Sequence, residues 1–398
     1  MPDIAPLAFH PLTFVAEHDG VLVGRQDTDS YAVLPEDGAQ LLHRLVDGMP
    51  VAEAVSWYRA TYAEPVDIAD FLLTLRELGF VRTGDEPPAV PQRVRFQRLG
   101  SLAFSPPLWI CYLGLVVACV VVMSWQPRLL PRPGNVFFIR SLIGVQLAVF
   151  ATQMPALAWH EWFHVLAGRR LGLPTRLTVG RRLFFVVVET RLNALLGVPP
   201  RRRYLPFLAG MLADLVLFSG LTLVAAADRS GPLAWAGRLA LAAAYVTMLR
   251  LAWQLCVFLR TDSYYVLTTA LGCTDLAGAS AAYLRGLADR MGLWRGGARP
   301  DTEFSARDRA LAPAFGLVTV VGVTAMFALA GIAIAPAIVE FFTRLGQGLA
   351  SGTVGARFWD STGSLVITVT QLAVLPLLVG RRARKQRRNK PQTKEALT

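Results

Sequence analysis

Six long apolar runs constrain this chain more than any other feature. Residues 108–125, 141–167, 204–227, 232–259, 310–339 and 361–380 each hold at least eighteen residues with few charges. A helix of about twenty apolar residues spans the ~30 Å hydrocarbon core of a bilayer, and it satisfies its own backbone polar groups there. The runs therefore predict a multi-pass α-helical membrane protein with about six transmembrane helices. Composition agrees. Of the 398 residues 54% are apolar and 17% charged, where soluble domains have about a quarter charged.

The net charge of +12 is unevenly spread. Residues 1–90 hold five basic and fifteen acidic side chains, a net of −10, which leaves +22 on the remainder. An acidic head on a basic, apolar body reads as two parts in different solvents. Within the head, Leu12–Ala16, Val21–Arg25 and Tyr31–Leu34 read as short strands, with a turn at Asp19-Gly20. Helical patterns follow over 40–46, 51–62 and 66–78. A small α+β, winged-helix-like domain over residues 1–83 is expected, then a linker over 84–104 containing Pro87, Pro88 and Pro91. The membrane domain spans 105–380 and a basic tail spans 381–398.

Lys and Arg number nine in 169–203, seven in 260–309 and eight in 381–398. The alternate segments 126–140, 228–231 and 340–360 hold three, one and two. Positive charge accumulates on the cytosolic side, so both termini are expected there. The first twenty residues have neither a basic start nor an apolar run, so no secretory signal is expected and the amino terminus stays in the cytosol. The tail Arg381–Arg388 follows a span directly, which fits a topology anchor or contact with anionic lipid better than nucleic acid. Arg outnumbers Lys 37 to 3, which fits a bacterial source. Cys111, Cys119, Cys256 and Cys273 form no Cys-x-x-Cys pair and are expected as small buried apolar residues.

Two cytosolic pieces are not spans. Leu177–Val179 and Leu183–Thr190 flank Gly180-Arg181-Arg182 as in a β-hairpin, which must rest on protein or line a wet cavity because a strand edge is not tolerated in lipid. Residues 275–295 read as an amphipathic helix at the membrane surface.

The second apolar run ends in His160-Glu161-Trp162-Phe163-His164. Residues i and i+4 of a helix share a face, so two imidazoles can hold one zinc ion, while Glu161 lies about 100° round, within reach of a metal-bound water as general base. With 5 His and 11 Glu in 398 residues, chance supplies such a motif with an expectation of about 0.002. A catalytic zinc needs a third protein ligand. The remaining histidines, His10, His18 and His43, all lie in the head. The acidic candidates are Glu189, Asp214, Asp228, Asp262 and Asp275. Asp262 stands at the cytosolic end of the fourth run, where His164 also ends its helix. Asp214 lies about ten residues inside the third run, at a depth similar to that of Arg250 in the fourth. Intramembrane charges pair with their opposites, so Asp214 is expected with Arg250 and Asp262 with the metal. The Asp214–Arg250 pair reads equally as helix-packing glue or as a substrate-binding element.

His160–His164, Gly210-Met211-Leu212-Ala213-Asp214 and Thr261-Asp262-Ser263-Tyr264-Tyr265-Val266-Leu267 together resemble the site-2 protease family of intramembrane zinc metalloproteases, over roughly residues 138–270. The resemblance implies zinc on His160, His164 and Asp262, with Glu161 as the base. It implies substrate contact at Gly210 and Asp214, and a peptide strand received by the hairpin of Leu177–Thr190. Ser263 stands where the family has glycine, and Asp214 where it has an amide. Residues 12–83 resemble the PqqD-like domain, which recognises leader peptides of ribosomally made, modified peptides. That resemblance implies that a peptide adds as a strand beside Tyr31–Leu34, with Tyr31 and Val33 in contact, against the 66–78 helix. A head of −10 repels phosphate, so no nucleic-acid partner is expected.

The sequence thus leads to a multi-pass zinc endopeptidase of the cell membrane acting on a ribosomally made precursor or leader peptide. The alternatives are a regulatory protease that cuts a membrane-spanning protein, and a peptide export or immunity component that keeps zinc without turnover. Oligomeric state is not legible.

Overall fold

The computed structural model describes residues 7–17, 20–25, 27–28, 30–82, 94–182, 185–191, 193–227, 234–292, 304–351 and 354–388, with 176–193 and 374–388 as backbone only. Near the amino terminus, β1 (Thr13–Glu17), β2 (Gly20–Arg25) and β3 (Ser30–Leu34) form an antiparallel sheet in the order β1-β2-β3. The expected turn falls partly on residues 18 and 19, outside the described ones. Successive side chains of a strand point to opposite faces. One face sends Phe14, Val21, Val23, Ala32 and Leu34 into a core with Leu42 of α1 (Glu36–Val46), Leu75 of α3 (Ile68–Glu77) and Phe80 just after it. The intervening α2 (Val51–Tyr62) packs Ala54 and Tyr58 on Leu41 and Leu45. Helix α1 begins four residues earlier than expected. Pro35 caps it, and Glu36 and Asp37 occupy its first turn, where acidic side chains favour the exposed N–H groups.

The second face of the sheet is also used. Register places Val15 opposite Leu22, Leu22 opposite Val33, and Gly24 opposite Tyr31. Val15 and Leu22 are buried there, and β1 and β2 touch the short 3-10 turn Asn193–Gly197. Glu17, on that same face, accepts from Arg203 Nη2 at 2.5 Å. Arg203 is itself buried and donates to the carbonyls of Val198 (2.6 Å) and Leu196 (2.9 Å). The head therefore sits on the helical body through an enclosed arginine.

Residues 97–103, expected as linker, instead form α4 (Gln97–Ala103), which lies along α6 (Leu142–Arg170). Gly100 permits this: a Cβ there would lie 2.4 Å from the Leu166 carbonyl oxygen. Among the described residues, four helices are long and apolar enough to cross a membrane: α5 (Pro106–Trp125), α6, α7 (Pro200–Ala227) and α11 (Ala306–Ala333). Ile110, Leu113, Leu317 and Phe327 point outward from α5 and α11. Apolar exposure of this extent is the pattern of a helix that faces lipid or another protein surface.

The other expected spans differ in detail. The run 232–259 is helical only as α8 (Ala234–Gln254), followed by a 3-10 turn at Val257–Leu259. Arg238 and Arg250 lower its hydropathy, and neighbouring protein encloses Ala242, Ala243, Ala244 and Thr247. The run 310–339 stops at Ala333. Pro336, which has no N–H to donate, sits in the first turn of a separate helix, α12 (Ala335–Leu349). The run 361–380 falls within α13 (Ala356–Arg388), and residues 389–398 of the basic tail lie outside the described ones. Asp360 of α13 caps α6, accepting from Ser141 Oγ at 2.5 Å and from Leu142 N at 2.7 Å. The expected hairpin is present as β4 (Arg176–Arg182) and β5 (Phe185–Arg191). The segment expected as a surface helix forms α10 (Leu276–Arg290), preceded by α9 (Asp262–Leu271), and buries Leu276, Ala279, Ser280 and Ala282. Of the four cysteines only Cys119 is buried, and Cys111 is exposed on α5.

Candidate metal centre

Helix α6 brings His160 and His164 to one face at i and i+4, and both rings are enclosed. Asp262 reaches them from the far end of α8. There the chain leaves the 3-10 turn, passes through Arg260 in the left-handed region (φ 54°) and starts α9 at Asp262. A non-glycine residue in that region costs of order 1 kcal/mol. The turn is held by Thr261 Oγ1, which donates to the Gln254 carbonyl at 2.8 Å.

His160 Nε2, His164 Nε2 and Asp262 Oδ2 form a nearly equilateral triangle. The two nitrogens are 3.2 Å apart, and the carboxylate oxygen is 3.3 Å from His160 and 3.2 Å from His164. Ligands at ~2.0–2.1 Å in a tetrahedral set stand roughly 3.3–3.4 Å from one another, so the triangle has the size a metal ion requires. Proton placement points the same way. His164 Nδ1 lies 2.8 Å from the Pro206 carbonyl oxygen, which only accepts, so Nδ1 carries the hydrogen. His160 Nδ1 lies 2.9 Å from Asp214 Oδ2 and is occupied in the same way. In the neutral rings both Nε2 lone pairs therefore face each other and a carboxylate, an arrangement that a cation between them stabilises. These residues could hold a metal ion, and no other group of three such ligands comes together among the described residues. Burial pushes the Asp262 carboxyl up, but when the His164 and His160 rings are protonated their positive charge outweighs burial and holds the group below the usual carboxylate range.

Gly210 of α7 faces this triangle. A Cβ there would lie 2.3 Å from His164 Nε2 and 2.4 Å from His160 Nε2, so the missing side chain leaves the room in which an ion fits. Asp214, one turn further along α7, is fully buried. Its carboxylate receives a fork from Arg250, Nε at 2.9 Å and Nη2 at 2.6 Å. The expected Asp214–Arg250 pair is thus present, with a contact to His160 that the sequence reading missed. Ser263 donates to Met211 Sδ at 3.5 Å, tying α9 to α7 beside Gly210.

Glu161 is 8% exposed and lines a cavity of about 490 Å³ with Met154, Pro155, Leu157, Ala158, Trp159 and Trp162. The residue adjacent to the first histidine thus contributes to the lining of an otherwise apolar space. The sequence reading also missed Gln254. This buried side chain accepts from the Asp262 N–H through Oε1 (3.2 Å), which turns its Nε2 toward His160 Nε2 at 3.5 Å. The available signal was a lone amide at the end of an apolar helix, eight residues before Asp262.

In the head, β3 is an edge strand of its sheet, and Val33 is 44% exposed. Tyr31 lies across the sheet, its ring over Gly24, where a Cβ would clash at 2.1 Å. Both residues project from the face that carries Val15, Leu22 and Glu17, the face that meets the body. No protein-family model, no curated protein and no solved structure matches the chain.

Proposed function

We propose that the protein is a multi-pass zinc endopeptidase of the cell membrane, with both termini cytosolic, built like the site-2 proteases it resembles. The observation that carries this reading is the triangle of His160, His164 and Asp262 with Glu161 next in the chain. Zinc, when bound there, supplies Lewis-acid polarisation of the scissile carbonyl and a water acidified toward a pKa of ~7. Glu161 takes the proton from the attacking water and passes it to the leaving amine. Gln254 Nε2, oriented by the Asp262 N–H, donates to the carbonyl oxygen as negative charge develops on it.

The substrate in this reading is a ribosomally made precursor or leader peptide, recruited by the PqqD-like head along the β3 edge at Tyr31 and Val33. The head meets the body at Arg203, seven residues before Gly210 in α7. Seven residues of helix rise about 10 Å. A peptide held on the head is thus close to the metal-facing glycine, and its effective concentration at the site is high. A phosphate backbone has no attraction to the acidic head, so the partner is peptide and not nucleic acid. The second reading, favoured by the same Glu17–Arg203 attachment, is a regulatory protease whose docked head restrains cleavage of a membrane-spanning protein.

The test is Glu161→Gln in the full-length protein, assayed on a precursor peptide encoded beside it. Cleavage should stop while stoichiometric zinc remains bound. Cleavage that survives the substitution refutes the catalytic reading. Wild-type protein that binds zinc but cleaves neither a precursor nor a membrane protein points to an export or immunity component.

A further inference from the structure

The geometry points to Asp214 and Arg250 as a positioning pair that fixes the ring of His160 toward the metal. This rests on the metal centre of the preceding reading and adds a role that the resemblance does not supply. Asp214 is wholly enclosed, and both of its oxygens are engaged: Oδ1 by Arg250 Nη2 at 2.6 Å, and Oδ2 by Arg250 Nε and His160 Nδ1, each at 2.9 Å. No face of this carboxylate is left for a peptide. Arg250 is held in turn. Its Nη1 donates to Gln153 Oε1 at 3.0 Å, and Gln153 Nε2 reaches the Ala243 carbonyl at 3.4 Å. The chain Ala243–Gln153–Arg250–Asp214–His160 thus joins α8 and α6 to α7 and ends on Nδ1 of His160, the ring nitrogen behind the one that faces the metal position.

Helix packing alone does not account for it. A buried ion pair adds little net stability over well-packed apolar residues of the same volume, because two charges must be desolvated. A carboxylate on the far nitrogen of a metal-binding histidine, by contrast, selects the tautomer, fixes the ring plane and makes the ligand a better donor. The two histidines are unequal in this respect, since His164 has only the backbone carbonyl of Pro206 behind it.

Two double variants separate orientation from packing, both with Arg250→Gln so that no charge is stranded. Asp214→Asn keeps a carbonyl that accepts from His160 Nδ1, whereas Asp214→Leu keeps the bulk and removes the acceptor. Zinc affinity is measured on the purified full-length protein in detergent by competition with a chromophoric chelator, and Co²⁺ binding by its visible absorption. The Asn variant should stay near wild type, and the Leu variant should bind zinc about 10- to 100-fold more weakly, with a changed Co²⁺ spectrum and similar thermal unfolding of the metal-free protein. Equal affinity in the two variants, whether high or low, overturns the proposal. If the Leu variant does not purify as a folded species, Asp214→Ala with Arg250→Gln poses the same comparison. Failure of the wild-type protein itself to bind zinc instead refutes the metal centre.

Discussion

Gly210→Ala tests the metal centre with a single methyl group. The added Cβ would meet His164 Nε2 at 2.3 Å and His160 Nε2 at 2.4 Å, about 1 Å inside ordinary contact. Neither ring turns aside freely, since Asp214 holds the far nitrogen of His160 and the Pro206 carbonyl that of His164. The rings or α7 must therefore shift by ~1 Å, where metal sites tolerate about 0.2 Å in ligand distance. Altering groups behind a ligand already weakens metal binding about 10- to 100-fold, so displacing two ligands should cost ~100-fold or more. Overpacking should also lower stability by about 1–3 kcal/mol. Gly220 on the same helix is the control, because a Cβ there meets nothing within 4 Å. Gly220→Ala should leave zinc binding unchanged and stabilise by about 0.5–1 kcal/mol, the usual helix gain of alanine over glycine. Zinc affinity by chelator competition and thermal unfolding of the full-length protein read both effects. If Gly210→Ala keeps wild-type zinc affinity, the ion does not sit between the histidines and α7.

Three further outcomes follow from other contacts. Asp262→Ala should abolish stoichiometric zinc, measured by elemental analysis; retained metal would move the third ligand elsewhere. Arg203→Leu removes the attachment to Glu17 and leaves the Val198 and Leu196 carbonyls without their donor. Unsatisfied groups of this kind cost about 1–3 kcal/mol each, visible as lower thermal stability and faster proteolytic release of the head. Slower cleavage of a tethered precursor would support recruitment, and faster cleavage of a membrane protein would support restraint by the head. In the head, the hydrogen bond to Asp37 pushes the Tyr58 hydroxyl up to about 12, and the same bond lowers the Asp37 carboxyl. The tyrosine contribution is therefore full below pH 10, its ordinary value, and disappears as the pH rises toward 12. The aspartate contribution is present above 3.8 and lost as the pH falls below it. Tyr58→Phe should flatten both limbs in pH-dependent unfolding of the head, and unchanged limbs would refute the coupling.

What was legible in the sequence is what depends on short periods. The i,i+4 spacing of His160 and His164, the apolar runs of α5, α6, α7 and α11, and the strand pairs β1–β2–β3 and β4–β5 all repeat within a few residues of themselves. Asp262 was reachable through charge and position, because few acids lie at the end of an apolar run that the arginine bias assigns to the same side as His164. Other features depend on contacts between distant segments. Asp214 meets His160 across 54 residues and Arg250 across 36, and nothing local to either partner distinguishes the three-way contact from a simple pair. Helix α4 was read as linker because Pro87, Pro88 and Pro91 and a run of arginines reaching Arg98 lead into it, while its place depends on Gly100 against α6. The early end of α11 follows from Pro336, two residues after the capping Ile334, inside a stretch whose hydropathy alone runs on.

One periodicity within reach of the sequence becomes interpretable only with the fold. On α7, Arg203 meets the head, Pro206 accepts from His164, Gly210 leaves room beside the Nε2 atoms of His160 and His164, and Asp214 accepts from His160. The spacings of three, four and four residues put all four on one face of a helix with ~3.6 residues per turn. No rotation or slide of α7 can move one of these contacts alone, since packed helices shift as units. The head contact and the backing of both histidines are thus borne by one rigid element, with ~16 Å of axial rise between Arg203 and Asp214. A substitution that disturbs the seating of α7 should therefore alter head attachment and metal affinity together, whereas one confined to Asp262 or the turn before it should alter metal affinity alone.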